Sequence, residues 1–301
     1  MNLPPAFVNN VSAAFGNPGR IFLADLPDLI SEACQLWNLI PGKPFLLSFN
    51  YVCTVTRMDG SPAVLKIGVP NSELTSEMNT LRVYAGKGAC RLLDAASERG
   101  MLLLERLQPG TMLATLEDDE RATEIAADVM QAILRSVPEG DGFLSLRKWF
   151  DELNNLRPRF GGGTGPFPER TVKIVEEMIR DLFAEGGPQV LLHGDFHHYN
   201  ILFSERGWLV IDPKGVTGPA EYEVGAFLLN PWGGILNEVE AIQQTQRRIS
   251  ILAERLGFDR QRMWAWAVCY SLLSAWWDTG EDGSGGETSR AWTEILLRTR
   301  V

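Results

Sequence analysis

The sequence has few cysteines and no excess of positive charge. Its four cysteines, Cys34, Cys53, Cys90 and Cys269, are scattered and form no Cys-x-x-Cys pair. This spacing argues against a disulfide framework and fits small buried side chains in a reducing compartment. The net charge is −10, from 38 acidic and 28 basic residues. Such a balance argues against nucleic acid or an anionic membrane as a partner, and it is compatible with a small cationic substrate.

Membrane-spanning and secretion signals are also missing. The longest apolar run, at 263–277, is shorter than the ~20 residues that cross a bilayer, so a buried helix is the simpler prediction. The amino-terminal stretch MNLPPAFVNNVSAAFG has neither the basic start nor the continuous apolar centre of a signal peptide. We therefore expect a cytoplasmic protein with no membrane partner, and the sequence leaves its oligomeric state open.

The first third of the chain combines helical and β-forming patterns. Helical periodicity predicts a helix at 26–39, which Pro41-Gly42 ends. Runs of β-forming residues predict strands at 45–56, 63–67, 91–94 and 101–104. The first two of these strands flank a Gly-Ser-Pro turn and form an antiparallel hairpin, with Lys66 on the second strand. A further helix, capped by Asn71 or Ser72, follows that hairpin and carries Glu77.

The rest of the chain is predicted to be mostly helical. Pro109-Gly110 ends the last of the early strands, and we predict a lobe boundary there, with lobes of residues 1–107 and 108–301. Helical patterns follow at 121–137, 145–156, 168–182, 222–229, 237–256, 259–278 and 287–300. With 301 residues, the chain is long enough for two lobes and a large core. The predicted fold is α+β, with a small β-sheet lobe before a larger helical one.

One stretch, 190–215 (VLLHGDFHHYNILFSERGWLVIDPKG), contains all three histidines of the protein. Apolar runs within it predict short strands at 190–192, 201–203 and 208–211. The last two strands form a hairpin, which makes Asn200 and Asp212, at its two ends, neighbours in space. Asp195 lies on the loop that enters the hairpin. Phosphoryl transfer uses such a set, because one acid orients a hydroxyl while an amide and a second acid hold a metal ion.

The same residues resemble a known family. HGD at 193–195, Asn200 and the later Asp212 resemble the H-x-D-x-x-x-x-N … D core of kinase-like phosphotransferases. The wider wording, HGDFHHYNIL and IDPKG followed by PAEYEVGAFLLNP, is similar to the streptomycin/hydroxyurea phosphotransferase family, a branch of the aminoglycoside phosphotransferases. The resemblance covers most of the chain. It implies a protein kinase-like two-lobed fold with a catalytic β-hairpin, ATP and Mg²⁺ as cofactors, and a small-molecule acceptor.

The resemblance also implies roles for individual residues. Asp195 corresponds to the catalytic base, and Asn200 and Asp212 correspond to the magnesium ligands. Glu223 occupies the position of a carboxylate that braces the catalytic loop, and His193 is expected to brace it as well. A loop aspartate, a turn asparagine and a strand-end aspartate without these roles would have to reach this spacing by chance.

The nucleotide is expected to contact the amino-terminal lobe. Lys66 resembles the strand lysine that contacts the α- and β-phosphates, and Glu77 resembles its helix partner, although Glu73 lies one turn earlier and could take that place. Backbone groups of Glu105 and Leu107 would contact adenine.

The loop expected to cover the phosphates, at 47–51, has no glycine, unlike the glycine-rich loop of protein kinases. Backbone amides beginning at Ser48 could still hold phosphate. ATP is inferred as the donor, and GTP stays open as an alternative.

Substrate selection is expected to come from the helical lobe. Trp277 and Asp278 place an aromatic face beside a carboxylate at one helix end, and this combination suits a guanidinium or ammonium group. A core tryptophan pair followed by a solvated acidic loop is the alternative. The stretch between Asp212 and the next predicted helix is too short for a phosphorylated activation loop, which weighs against a protein substrate.

The sequence therefore predicts a kinase that moves the γ-phosphate of ATP to a hydroxyl of a small molecule. Streptomycin or a related aminoglycoside is the first candidate acceptor, hydroxyurea the second, and an unidentified metabolite alcohol the third. A nucleotide-binding pseudokinase is the non-enzymatic alternative. A zinc hydrolase would use His193, Asp195, His197 and His198, but catalytic zinc takes further ligands from distant segments and the chain has no other histidine.

Overall fold

The computed structural model describes residues 2–137, 139–140, 142–231 and 237–301. In the amino-terminal part, the elements are α1 (Pro5–Leu36), β1 (Leu39–Pro44), β2 (Tyr51–Arg57), β3 (Pro62–Ile67), α2 (Ser72–Tyr84), β4 (Leu92–Ala96) and β5 (Met101–Glu105). Further along the chain lie β6 (Pro109–Met112), α3 (Asp119–Ile133), β7 (Arg135–Ser136), β8 (Leu144–Ser145), α4 (Leu146–Asp151), α5 (Leu156–Arg159), α6 (Glu169–Glu185), β9 (Gln189–Leu192), β10 (Ile201–Ser204), β11 (Gly207–Val210), β12 (Val216–Pro219), α7 (Val224–Leu228), α8 (Glu238–Leu256), α9 (Arg260–Trp277) and α10 (Glu287–Arg298).

The amino-terminal strands form one antiparallel sheet in the order β1-β2-β3-β5-β4. The predicted hairpin is present, and Val52 lies opposite Lys66 in its register. Since side chains alternate along a strand, Leu65 and Ile67 face the core under α1, and Lys66 faces the other side of the sheet. There it meets α2, whose first turn is capped by the side chain of Asn71 as predicted.

Two elements of this lobe were not predicted correctly. Helix α1 begins at Pro5 rather than near residue 26, with a break at Gly16, where φ is +57°. Pro18 and Pro27 lie inside the helix and disfavour it locally, but Phe7 and Val11 are fully buried in the core that the outer sheet face shares with α1. Burial of apolar area therefore outweighs local propensity. Strand β1 runs through Pro41-Gly42, and such residues are tolerated because β1 is an edge strand.

The carboxyl-terminal part contains the predicted hairpin, formed by β10 and β11, with Ile201 opposite Val210. Strand β6 extends it to a three-stranded sheet in the order β11-β10-β6, and β7-β9-β12-β8 form a second small sheet. The helix predicted at 145–156 is divided into α4, a single 3₁₀ turn (Glu152–Asn155) and α5. Pro158 and the two adjacent asparagines are poor helix residues, which accounts for the division.

The core is divided between two clusters. One packs α1 against the outer face of the amino-terminal sheet. The other joins the inner face of that sheet and α2 to the helices of the carboxyl-terminal part, and contains Leu104 together with Ile125 and Phe196. A small antiparallel sheet before a larger helical part is the α+β arrangement expected from the sequence. The lobe boundary at 107/108 stays a prediction.

Candidate active site

A buried carboxylate holds the loop that carries Asp195. The two oxygens of Glu223 accept hydrogen bonds from the backbone N–H groups of His193, at 2.6 Å, and Gly194, at 2.9 Å. Burial raises the pKa of Glu223 to about 7, although the two N–H groups act in the opposite direction. Glu223 contacts the backbone of the loop from within the core, as expected for a brace.

His193 holds the same loop from its other side. Its Nε2 lies 2.9 Å from the carbonyl oxygen of Ile211, and its Nδ1 accepts the backbone N–H of Asp195 at 3.2 Å. This network assigns the proton to Nε2. Burial lowers the pKa of His193 to about 4, so the ring is neutral at physiological pH. The side chain thereby links Asp195 to the strand that leads into Asp212.

Glycine is required between these residues. Gly194 has a φ of +84°, and a Cβ atom at that position would lie 2.7 Å from Cγ2 of Val216. An L-residue would therefore be strained and would clash. The tight path of the backbone here explains why the motif has glycine before Asp195.

Asp195 is held as an ionised carboxylate. Its Oδ1 lies 3.4 Å from Nε2 of His197, and its backbone oxygen accepts Nδ2–H of Asn200 at 3.0 Å. Burial acts to raise the pKa of Asp195, but the hydrogen bond and charge of His197 and the charge of Lys214 outweigh it, so the pKa lies below the ordinary value. An ionised carboxylate of this kind can accept the hydrogen bond of an alcohol.

Asn200 lies opposite Ile211, the residue before Asp212, at the end of the hairpin. The N–H of Ile211 donates to the carbonyl oxygen of Asn200 at 3.0 Å and extends the hairpin to its end. Nδ2 of Asn200 is bound to Asp195, and no group among the described residues donates to its Oδ1, which leaves this oxygen available to a ligand. The side chain of Asp212 is 40% exposed and sits on a backbone with φ of +58°. One amide and one carboxylate oxygen are the donors that Mg²⁺ prefers, so the pair fits this ion.

Lys66 connects the amino-terminal sheet to Asp212. Its Nζ lies 2.7 Å from each oxygen of Glu77 and also contacts Oδ1 of Asp212. Burial acts to lower the pKa of Lys66, but the two carboxylates outweigh it and raise the pKa above its usual range. For Asp212, the charges of Lys66 and Lys214 outweigh burial and hold the pKa well below its usual range. Burial raises the pKa of Glu77, although the charge of Lys66 acts in the opposite direction. Lys66 and Asp212 are therefore charged, and Lys66 contacts Glu77 rather than Glu73.

Helix α2 is packed directly on the loop after Asp212. The hydroxyl of Ser76 donates to the carbonyl oxygen of Gly215 at 2.6 Å. Gly215 has a φ of +70°, and a Cβ atom there would lie 2.0 Å from Oγ1 of Thr80. Because glycine permits this approach, the helix that carries Glu77 is positioned by the loop that carries Asp212.

The residues predicted to contact a nucleotide lie at the carboxyl end of β5, just after it, and on the loop before β2. The backbone N–H of Glu105 donates to Arg91 at 2.9 Å, and its carboxylate binds Arg206, so only its carbonyl could face a base. The N–H of Leu107 donates to no group among the described residues. Ser48 lies on an exposed loop. These positions are compatible with the predicted roles, which stay predictions.

Lys214 was not singled out from the sequence, although it lies within the Asp-Pro-Lys-Gly run that drew attention to Asp212. Its backbone N–H donates to the carbonyl oxygen of His193 at 2.7 Å. Burial acts to lower its pKa, but the charges of Asp212 and Asp195 outweigh this and raise it. Within the described part of the chain, its ammonium group has no ion-pair partner within 4.0 Å. Lys214 therefore supplies positive charge between the two aspartates.

Two residues that were not singled out from the sequence contact Trp277, which was predicted to bind the acceptor. Trp277 is 42% exposed, and its Nε1–H donates to Oε2 of Glu152 at 2.8 Å. Its ring meets that of Trp149 edge to face, with centroids 5.3 Å apart. Neither Trp149 nor Glu152 was predicted, and the local cluster of aromatic and acidic residues at 149–152 was the available signal. Asp278, which was predicted, follows Trp277, and burial raises its pKa.

Two further findings concern the alternatives. Within the described ranges, no three side chains of histidine, cysteine, aspartate or glutamate converge to hold a metal ion, so the structure lends the zinc hydrolase no support. Among the same residues, no helix is both long enough and apolar enough to cross a bilayer.

The chain is similar to proteins of known activity. Residues 40–283 match the family model described as aminoglycoside/hydroxyurea antibiotic resistance kinase. The streptomycin 6-kinase of Streptomyces glaucescens is 32% identical over 94% of this chain and 92% of its own length. The hydroxyurea phosphotransferase of Kitasatospora aureofaciens is 33% identical over 97% and 85% of the two chains.

A solved amicoumacin kinase in complex with AMP-PNP and Ca²⁺ has a TM-score of 0.64 at 13% identity, covering 91% of this chain and 93% of that one. This likeness confirms the predicted kinase-like fold, and the relatives confirm the predicted class of enzyme, a phosphotransferase. The family model and the relatives together cover most of the sequence, from the β-sheet lobe to the last helices. The chain belongs to the aminoglycoside/hydroxyurea antibiotic resistance kinase family.

Proposed function

We propose that this protein transfers the γ-phosphoryl group of ATP to a hydroxyl of an aminoglycoside such as streptomycin, or of hydroxyurea. The observation that carries the proposal is the position of Asp195. It is ionised, it lies on a loop braced by Glu223 and His193, and it is bonded to Asn200. Strand β3 of the amino-terminal sheet carries Lys66, which joins Asp212 to Glu77 of helix α2. A fixed acid beside a charged phosphate site suits in-line phosphoryl transfer.

In this proposal each residue has one task. Asp195 accepts the hydrogen bond of the acceptor hydroxyl, aims its oxygen at the γ-phosphorus, and receives the proton. A low pKa suits this task, because a loose transition state needs orientation more than it needs a strong base. Oδ1 of Asn200 and the exposed oxygen of Asp212 would hold Mg²⁺, which offsets the negative charge of the phosphates when bound. Lys66 would hold the α- and β-phosphates.

The nucleotide would lie between the two parts of the chain. The carbonyl of Glu105 and the N–H of Leu107 are assigned to adenine, and amides near Ser48 to the phosphates. ATP is supported by the solved amicoumacin kinase, which contains AMP-PNP. The four free cysteines and the use of ATP both suit the cytoplasm, which is the location that we propose.

Trp277 and Asp278 are assigned to the acceptor. Streptomycin carries guanidino groups on a cyclitol, and hydroxyurea is a urea with an N-hydroxyl group. An aromatic face beside carboxylates suits the first by cation–π contact and ion pairing. The net charge of −10 also favours the approach of a cation.

Acceptor-stimulated release of ADP tests the proposal. The wild type would be supplied with ATP or GTP, with and without Mg²⁺, and with streptomycin, other aminoglycosides, hydroxyurea or simple amino alcohols. We expect ATP- and Mg²⁺-dependent turnover with streptomycin or hydroxyurea. Asp195→Asn should lower kcat by about 10²–10⁴-fold while leaving nucleotide affinity unchanged. Tight binding of ATP without turnover of any aminoglycoside or hydroxyurea would contradict the proposal and leave a metabolite alcohol as the acceptor.

A further inference from the structure

Three side chains form a surface feature beside the catalytic loop, which we name the tryptophan corner: Trp149, Glu152 and Trp277. The two indole rings stand at 88° to each other, with their centroids 5.3 Å apart. Oε2 of Glu152 accepts Nε1–H of Trp277 at 2.8 Å. The hydrogen bond fixes the orientation of the carboxylate, and within the described residues Oε1 has no hydrogen-bond partner.

The corner adjoins the reacting groups. The end of the Trp149 ring packs on the catalytic loop, since its Cη2 lies 3.2 Å from the place that a Cβ atom of Gly194 would occupy. Asp195 is the next residue. A second link comes from helix α9, which carries Trp277 at its end and Tyr270 two turns earlier. Burial, followed by the charges of Asp195 and Asp278, raises the pKa of Tyr270, so both carboxylates lie within electrostatic reach of this ring. A molecule seated on the corner would therefore lie beside Asp195.

The chemistry of the corner favours a planar, nitrogen-rich group. A planar group can lie flat on the exposed face of Trp277, and two parallel N–H donors match the geometry of a carboxylate. An ammonium ion offers neither feature, because it is a compact and strongly hydrated point charge. The protein itself contains such a contact at the adjacent residue, since the guanidinium carbon of Arg159 lies 3.8 Å from the ring centroid of Trp276.

We propose that the tryptophan corner binds the part of the acceptor in which one trigonal carbon carries two N–H-bearing nitrogens, which is a guanidinium or a urea. The corner thereby holds the neighbouring hydroxyl against Asp195 and determines which acceptors are phosphorylated. This inference rests on the proposed phosphotransferase function. It adds Trp149 and Glu152 to the acceptor site and explains how one site serves a guanidino alcohol and a hydroxylated urea, which share this planar group but differ in charge.

Matched acceptors test the inference. Hydroxyurea and acetohydroxamic acid carry the same N-hydroxyl amide, but a methyl group replaces the NH₂ group in the second. We expect kcat/KM to favour hydroxyurea by about tenfold or more in the wild type, because the corner loses N–H donors with the methyl compound. Trp277→Leu should bring this ratio close to one by raising the acceptor KM, with the KM for ATP unchanged.

A second variant distinguishes binding of a charged guanidinium from binding of a neutral urea. Glu152→Gln keeps a hydrogen-bond acceptor but removes the charge, so it should lower kcat/KM for a guanidino acceptor such as streptomycin by about tenfold and for hydroxyurea by less. Trp37→Leu, the same substitution in the amino-terminal lobe, serves as the control. It should leave kcat/KM unchanged for both acceptors. An unchanged preference for hydroxyurea in Trp277→Leu would overturn the inference.

Binding without turnover distinguishes failure of this inference from failure of the proposed function. Calorimetric titration of streptomycin, in the presence of AMP-PNP, would compare the wild type with Trp277→Leu and Trp37→Leu. We expect affinity to fall about tenfold or more in Trp277→Leu alone. If the wild type binds streptomycin in this way but phosphorylates no acceptor, the corner stands and the proposed reaction fails. Equal affinities in all three proteins would overturn the corner whatever the turnover.

Discussion

On the side of the Asp195 loop proposed to bind the nucleotide, Lys66 and Glu77 are about 95% buried, and the bonds of Lys66 to Glu77 and Asp212 connect the sheet, α2 and the loop after the hairpin. On the acceptor side, Trp277 is 42% exposed, and a single hydrogen bond to Glu152 holds it. The first region is assembled before any ligand binds. The second presents a free carboxylate oxygen and an open aromatic face to solvent.

Under the proposed function, this difference follows from what each side would bind. Phosphate charge develops at the same place in every turnover, so charges that are held rigidly in a dry environment stabilise it without reorganisation. An acceptor varies from enzyme to enzyme, and an exposed surface built from short segments can change without disturbing the core. The named relatives differ in the substrate that their names give, streptomycin in one case and hydroxyurea in the other.

The largest effect on stability should come from breaking the buried cluster. Lys66→Met leaves Glu77 and Asp212 facing each other without their cation, and we expect the free energy of unfolding to fall by about 3–5 kcal/mol. Urea denaturation of the two proteins would measure this loss. The double variant Lys66→Met, Glu77→Gln should recover part of the stability, because the uncompensated buried charge is removed, but it should not recover ATP affinity. A double variant no more stable than the single one would contradict the interpretation.

A smaller effect on stability should appear on acidification, because His193 and Glu223, which hold the loop of Asp195, both titrate. His193 has a pKa of about 4 in the folded protein, below its ordinary 6.5, so its contribution is present above pH 6.5 and is lost as the pH falls to 4. Glu223, with a pKa of about 7, acts in the opposite direction, since its contribution is present below about pH 4.5 and is lost as the pH rises through 7. The two therefore compensate between pH 4.5 and 6.5.

Removing the titration of Glu223 should reveal the effect of His193 on stability. Glu223→Gln removes the compensating titration, so unfolding measured from pH 6.5 to 4 should show about 3 kcal/mol more loss than the wild type shows. A variant on the acceptor side, Glu152→Gln, should run parallel to the wild type over this range. Parallel curves for Glu223→Gln would mean that the brace does not titrate as described.

The smallest effect is expected at the tryptophan corner. Because the Glu152–Trp277 hydrogen bond is exposed to solvent, Glu152→Gln should change the free energy of unfolding by no more than about 1 kcal/mol. The midpoint of urea denaturation would measure it. A loss comparable to that of Lys66→Met would show that the corner is a structural support, and the contrast between the two sides would then disappear.

Local sequence was sufficient for the catalytic hairpin. Asp195, Asn200 and Asp212 belong to one loop and one short hairpin, and turn and strand patterns over this distance specify which residues become neighbours. The start of the helix of Glu77 was also predictable, because a capping asparagine marks it. The role of each residue came from resemblance to a family rather than from these patterns, and it stays a prediction.

Elements that are stabilised by contacts distant in sequence were not predicted. The first part of α1 and strand β1 contain proline and glycine, and only their packing on the sheet stabilises them. The division of the helix at 145–156 places Trp149 and Glu152 beside the end of α9, which no periodicity indicates. These elements depend on partners that are distant in sequence, so propensity and pattern are insufficient.

The sequence by itself indicated the class of enzyme, through its resemblance to a family, and it placed the motif residues on one loop and hairpin, because their spacing is a local property. Only the tertiary structure decided that Glu77 rather than Glu73 pairs with Lys66, and that Lys66 reaches Asp212, 146 residues away. The tertiary structure also forms the tryptophan corner, whose hydrogen bond joins residues 125 positions apart. Contacts over such separations arise from the packing of whole elements around a shared core, which no short stretch of sequence contains.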